Sequence, residues 1–149
     1  MNIGENNLLK EGAKALSNGD AFKKILTLNI EGNDINDYGL YLLSTGKLSE
    51  IEELFLGKNK LGDESVAYIY NFKKLEKLDL ESNLLTSKGA YYLCGKNFDN
   101  IKQLNLDNNK IGVEGTYIIS MISKNNLRSL SLVANDICTK GAELISILN

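Results

Sequence analysis

Apolar and polar residues alternate over short stretches of this chain, as in Leu28-Asn29-Ile30-Glu31, and then, past an asparagine, switch to helical spacing. Alternation at period two predicts a strand with its leucines turned inward and the residues between them outward. The helical segments are read from Tyr38, Leu42 and Leu43, from Val66 and Ile69, from Ala90 and Leu93, from Ile118, Ile119 and Ile122, and from Ala142 and Ile145. With the asparagine as a ruler, the pattern is seen to repeat. Around Asn109, apolar residues stand five and three positions before (Leu104, Leu106) and two and ten after (Ile111, Ile119), with Gly115 six after. The same set surrounds Asn33, Asn83 and Asn135, and Asn59 shares it except that Ser65 replaces the glycine. Around Asn6, residues Ile3, Leu8, Gly12 and Leu16 match, so the chain opens inside a repeat whose strand is cut short. Six copies at intervals of 24 to 27 residues are an internal repeat rather than a chance run of amphipathic elements.

Each unit therefore predicts one strand, one turn and one helix. Short parallel strands need long crossovers, which the helices supply. No unit can cover its own leucines, so each must pack on its neighbours. Helices need about 8 to 10 Å of lateral room and strands about 4.8 Å, which bends the stack with its sheet on the inside. The expected fold is α/β, a short right-handed solenoid arc of about six repeats in a single domain. Residues 1–20 form the truncated first repeat, with a helix over Leu9 to Leu16 broken at Asn18-Gly19-Asp20, and residues 21–149 form five full repeats. Asn33, Asn59, Asn83, Asn109 and Asn135 are expected to stack as a structural ladder that satisfies turn backbone groups. The glycines six positions later are expected where a Cβ would crowd a close approach, with Ser65 small enough to substitute.

The skeleton LxxLxLxxNxIxxxGxxxL, with units near 26 residues and crossovers such as Leu61-Gly62-Asp63-Glu64-Ser65-Val66-Ala67-Tyr68-Ile69, resembles the ribonuclease-inhibitor-like class of leucine-rich repeat proteins over essentially the whole chain. That resemblance implies the solenoid fold and a role in binding proteins, such as ribonucleases, small GTPases, actin or the ligands of innate immune receptors. It does not specify which.

Function must then be read from the outward strand positions. Six before the ruler stand Thr27, Glu53, Lys77, Gln103 and Ser129; four before, Asn2, Asn29, Phe55, Asp79, Asn105 and Ser131; two before, Gly4, Glu31, Gly57, Glu81, Asp107 and Val133. On these rows Glu31, Glu53, Asp79, Glu81 and Asp107 are opposed by Lys77 alone, with Lys58 at the rim. Phe55 stands among them beside the open space left by Gly57, where an aromatic serves as a binding anchor or packs against Lys77. The candidate partner-binding residues are Glu31, Glu53, Phe55, Lys77, Asp79, Glu81, Asn105 and Asp107. The partner they imply is a protein with a basic patch.

Composition narrows the remaining classes. The net charge of −2 carries no basic footprint for nucleic acid. No histidine is present, and no phosphate-cradling, nucleophile or zinc motif is found, so no enzyme, metal or cofactor is expected. Asp79 and Glu81 would stand about 7 Å apart on a wet, shallow face, a poor setting for paired-acid chemistry. No membrane span or signal peptide is visible, and Cys94 and Cys138 read as buried or half-buried thiols of a reducing compartment, so the expected location is cytoplasmic. The seven tyrosines fall in or near helices and read as core packing with wet hydroxyls. An Asn- and Lys-rich bias with a single arginine, Arg128, points to an AT-rich genome and extends the expectation to a host-directed effector of an intracellular bacterium or parasite, reaching the host cytosol without a conventional signal peptide. The alternative is a structural or assembly unit. Its last strand, Leu130 to Leu132, followed by apolar Val133 and Ala134, would pair as a homodimer or with a separate chain through a terminal edge, unless Glu143 to Asn149 folds over it.

Overall fold

The computed structural model describes residues 1–94, 98, 100–122 and 126–146 of the 149, and of Ile122 only the backbone. Helix α1 (Leu9–Asn18) is followed by strand β1 (Thr27–Asn29), helix α2 (Asn36–Thr45), β2 (Glu53–Phe55), the short α3 (Val66–Ile69), β3 (Lys77–Asp79), α4 (Ser87–Leu93), β4 (Gln103–Asn105), α5 (Gly112–Ile122), β5 (Ser129–Ser131) and α6 (Cys138–Ser146). Single 3-10 turns at Asp20–Phe22 and Asp63–Ser65 precede β1 and α3. The five strands form one parallel sheet in sequence order, each ruler position facing its equivalent: Thr27, Glu53, Lys77, Gln103 and Ser129 in one row, Leu28, Leu54, Leu78, Leu104 and Leu130 in the next. The first repeat contributes an isolated parallel bridge, Asn2 to Asn29. The result is an α/β leucine-rich repeat solenoid arc, as the periodicity predicts.

The core lies between sheet and helices. Leu28, Ile30, Ile35, Leu54, Leu56, Leu61, Leu80, Leu85 and Leu106, all placed by the ruler, are fully buried. Each such burial stabilises by roughly 1.5–3 kcal/mol relative to exposure. The same positions in the last repeat, Leu130, Leu132 and Ile137, are only half-buried, because among the described residues no further repeat covers them.

The turn after each strand cannot close on backbone bonds alone. The residue preceding every ruler asparagine is left-handed, with φ between 52° and 66° at Glu5, Gly32, Lys58, Ser82, Asn108 and Ala134. The asparagine side chain compensates. Asn83 Nδ2 donates to Leu80 O and Glu81 O in its own turn and to Leu56 O of the repeat before, while its Oδ1 accepts from Asn59 N and Leu61 N. Asn33 and Asn59 repeat the arrangement, Asn109 and Asn135 keep the bond to the repeat before and one accepted N–H each, and all four are buried.

The glycine positions show the expected crowding. A Cβ on Gly115 would lie 2.7 Å from Ile111 Cγ2 in its own repeat and 3.1 Å from Ser87 Cα on α4, and one on Gly39 would lie 3.0 Å from Ile35 Cβ and 3.3 Å from Ala13 Cβ on α1. The glycine makes room both for the apolar side chain four before it and for the neighbouring helix. Gly115→Ala should accordingly cost about 1–3 kcal/mol in urea unfolding. The equivalent Ser65, buried with its Oγ donating to Gly62 O at 2.6 Å, should lose less when changed to alanine, about 1 kcal/mol.

Three expectations about side chains are corrected. On α2 the buried pair is Leu40 and Leu43, with Tyr38 exposed and Leu42 half-buried, and on α6 Ala142 is exposed; the side chain of Ile122 lies outside the described residues. Tyr38, Tyr41, Tyr91 and Tyr117 are exposed rather than packed in the core, while Tyr68, Tyr70 and Tyr92 are half-buried. The helices pack through their small and aliphatic residues, which leaves the tyrosines outside, where Tyr38 stacks on Tyr41 and Tyr41 meets Tyr68 edge-on. Cys94 and Cys138 are both exposed, the first capping α4 and the second opening α6 instead of sitting in a turn. Partial desolvation beside Ile118 pushes the Cys94 thiol up, away from a reactive thiolate. The suggested cover from residues 143–149 cannot be traced past Ser146, since 147–149 lie outside the described residues.

Candidate functional site

The strand register brings five of the eight candidate residues, Glu53, Phe55, Lys77, Asp79 and Asn105, onto one face. Glu53 faces Lys77, and Phe55 faces Asp79, which faces Asn105. Adjacent parallel strands are about 4.8 Å apart, so these side chains form a continuous surface. Glu31, Glu81 and Asp107 follow two residues past the ends of β1, β3 and β4. The open space expected at Gly57 is not there: the glycine is buried, and a Cβ on it would lie 3.3 Å from Glu31 Cγ and 3.4 Å from Glu81 O.

Most of the carboxylates already have partners within the chain. Glu31 pairs with Lys58 at 2.7 Å, and this contact, with Glu5 at 3.6 Å, raises the lysine pKa above its ordinary value. Asp79 Oδ1 accepts from Glu81 N at 2.9 Å and its Oδ2 from Asn105 Nδ2 at 3.0 Å. Asp107 Oδ1 accepts from Ser131 Oγ at 2.6 Å and Val133 N at 2.7 Å, and Glu53 accepts from Thr27 Oγ1 at 3.2 Å. Glu81 is the least engaged, with one long contact, 3.3 Å, from Asn108 Nδ2. These bonds account for why polar residues recur four before the ruler: Asn29, Asp79 and Asn105 each cap the backbone N–H two residues on.

Phe55 is half-buried, and Lys77 Nζ sits 4.9 Å from the centroid of its ring. Of the two readings open for this side chain, packing against Lys77 is the one observed in the isolated chain. The ring remains at the centre of the acidic rows with Gly57 beside it. Among the described residues no group of three or more His, Cys, Asp or Glu side chains is placed to hold a metal ion.

Sequence reasoning missed the carboxylates four positions after the ruler. Asp63 accepts from Thr86 N, Thr86 Oγ1 and Gly89 N, at 2.7, 2.7 and 2.9 Å, and Asp37 accepts from Gly62 N at 2.7 Å. Each ties the start of one crossover to that of the next. The signal was an aspartate at the same offset in consecutive repeats, at Asp37 and Asp63.

A family model described as leucine-rich repeat matches residues 23–44, 73–94 and 123–146. The first two segments hold one strand and one helix each, β1 with α2 and β3 with α4, and the third spans β5 and α6. No curated protein matches the chain. Among solved structures, an internalin (InlF) of Listeria monocytogenes superposes on 99% of the chain with a TM-score of 0.64 and 24% identity. The chain spans 37% of the length of that internalin. Leiomodin-1 actin-binding site 2 superposes on 93% of the chain and 84% of its own length, with a TM-score of 0.64 and 17% identity. Both likenesses are of fold. Alternate repeats answer to the family model, and the intervening ones are built on the same strand, asparagine and crossover, so the chain has the leucine-rich repeat fold throughout.

Proposed function

We propose that the chain is a non-enzymatic protein-binding module of the ribonuclease-inhibitor-like class, whose concave strand face takes a partner protein presenting a basic patch. The observation that carries this reading is the row of carboxylates around Phe55, with Glu81 nearly free to pair outward. Such rows steer a cationic partner and set its register, while an aromatic at the centre supplies the anchor. Helical crossovers as long as α5 support the subclass, and the likeness of fold to an actin-binding site of leiomodin-1 supports a solenoid of this size acting as a binding surface. The host-directed role rests on the compositional bias alone.

The test is affinity capture from eukaryotic and bacterial lysates, comparing the native chain with the Phe55→Ala, Glu81→Lys double variant, both checked for folding by circular dichroism. Neither side chain belongs to the asparagine ladder, so the variant should remain folded. A basic protein retained by the native chain, released by salt, and weakened about 30-fold or more in the variant supports the reading, a loss corresponding to about 2 kcal/mol at an anchor. Equal capture by both chains would falsify it.

A further inference from the structure

Several lysines of this chain pair with a carboxylate one repeat back. Lys60 holds Asp34 at 2.6 Å, Lys74 holds Glu50 at 2.6 Å, Lys88 holds Glu64 at 3.3 Å and Lys102 holds Glu76 at 2.5 Å. In each pair the two residues stand at the same offset from the ruler in adjacent repeats. Lys77 has the same opportunity, since the strand register sets it directly opposite Glu53. It does not take it. Among the described residues Lys77 makes no ion pair, Glu53 accepts from Thr27 Oγ1 instead, and the Lys77 ammonium stands 4.9 Å from the centroid of the Phe55 ring. An exposed ion pair is worth little and a ring face attracts a cation to a similar degree, so the two compete. Here the ring wins.

The ring is therefore a seat for a cation, which the chain fills with one of its own. Phe55 is half-buried between Asn29 and Asp79 on the flanking strands, so its side chain is reachable from solvent. Two carboxylate oxygens around it accept nothing among the described residues: Glu53 Oε1, two residues before Phe55 on β2, and Glu81 Oε2, two residues past Asp79. Asp79, by contrast, has both oxygens engaged. A guanidinium lies flat on an aromatic face and donates from its edge to carboxylates at the same time, whereas an ammonium is a compact point charge.

We propose that Phe55 seats an arginine side chain of the partner protein, and that Lys77 holds this seat in the unbound chain and is displaced on binding. The proposal rests on the concave face being the binding surface, and deepens that reading by naming the group that is anchored there. Phe55 supplies the ring face, Glu53 and Glu81 accept the guanidinium N–H groups, and Lys77 swings clear into solvent. Lys77 is a built-in competitor, so affinity is reduced by the stability of its own contact with the ring, about two- to fivefold.

The probes are capped hexa-arginine and hexa-lysine peptides, titrated calorimetrically into the native chain, Phe55→Leu, Lys77→Met and the double variant, all checked for folding by circular dichroism. Salt is held near physiological strength, where the Debye length is about 8 Å and long-range attraction is screened. Hexa-arginine should bind more tightly than hexa-lysine, and Phe55→Leu should weaken it about threefold or more. Lys77→Met should strengthen it about two- to fivefold with the native ring and clearly less in the Phe55→Leu background. That coupling separates release of the ring from mere loss of a positive charge. Weaker binding in Phe55→Leu without a gain in Lys77→Met overturns the displacement of Lys77 and leaves the concave-face reading standing. Equal gains in the two backgrounds do the same. Binding that neither Phe55→Leu nor Lys77→Met alters overturns both. A native chain that takes the two peptides equally, or takes neither, overturns the arginine seat.

Discussion

Asn59→Ala is expected to lower the unfolding free energy by about 3–4 kcal/mol. The side chain is fully buried and makes five bonds: Nδ2 donates to Ile30 O at 2.9 Å, Leu56 O at 3.1 Å and Gly57 O at 2.9 Å, and Oδ1 accepts from Asn33 N at 3.1 Å and Ile35 N at 3.3 Å. Alanine leaves the two N–H groups without acceptors in a dry turn, at roughly 1–3 kcal/mol each. Asn59→Asp keeps the acceptor but sets a charge against three carbonyls, and should be no better at neutral pH. Asn135→Ala at the end of the ladder should cost less, about 1–2 kcal/mol, since its Oδ1 accepts from Ile111 N alone. Urea unfolding followed by circular dichroism measures all three. A loss below about 1 kcal/mol at Asn59 would mean that water replaces the side chain, and that the ladder is a consequence of the fold rather than a cause of it.

The second large effect comes from the leucine row. Leu54 is fully buried between the equivalent Leu28 and Leu78, so Leu54→Ala should cost about 2–5 kcal/mol through lost burial and the cavity that remains. Leu130 holds the same ruler position but is half-buried with a neighbour on one side, and Leu130→Ala should cost roughly 1 kcal/mol. The contrast tests nearest-neighbour stabilisation directly, because residue type, strand position and turn are the same and only the number of flanking repeats differs. Equal losses at the two positions would show that stability is not set by contacts between adjacent repeats.

Taken alone, the sequence determined the repeat unit, the strand face, the asparagine ladder and the set of residues that line the concave surface. These follow from periodicity: with one strand per repeat and side chains alternating in and out, an offset from the ruler is enough to say which way a residue points. Only the tertiary structure decided what each side chain meets, because its neighbours stand 22 to 30 residues away in the adjacent repeat. That is why Phe55 was placed on the right face while its cover by Lys77 stayed open, and why Asp63 as a cap for the following crossover went unread. The helices were the least legible part. Their apolar residues extend over more than one face, so the buried arc is chosen by what the flanking helices present; α2 buries Leu40 and Leu43 and leaves Tyr38 and Tyr41 in solvent. The exposure of Cys94 and Cys138 has the same origin, since each lies at a helix end whose burial depends on the neighbour beside it and not on its own offset.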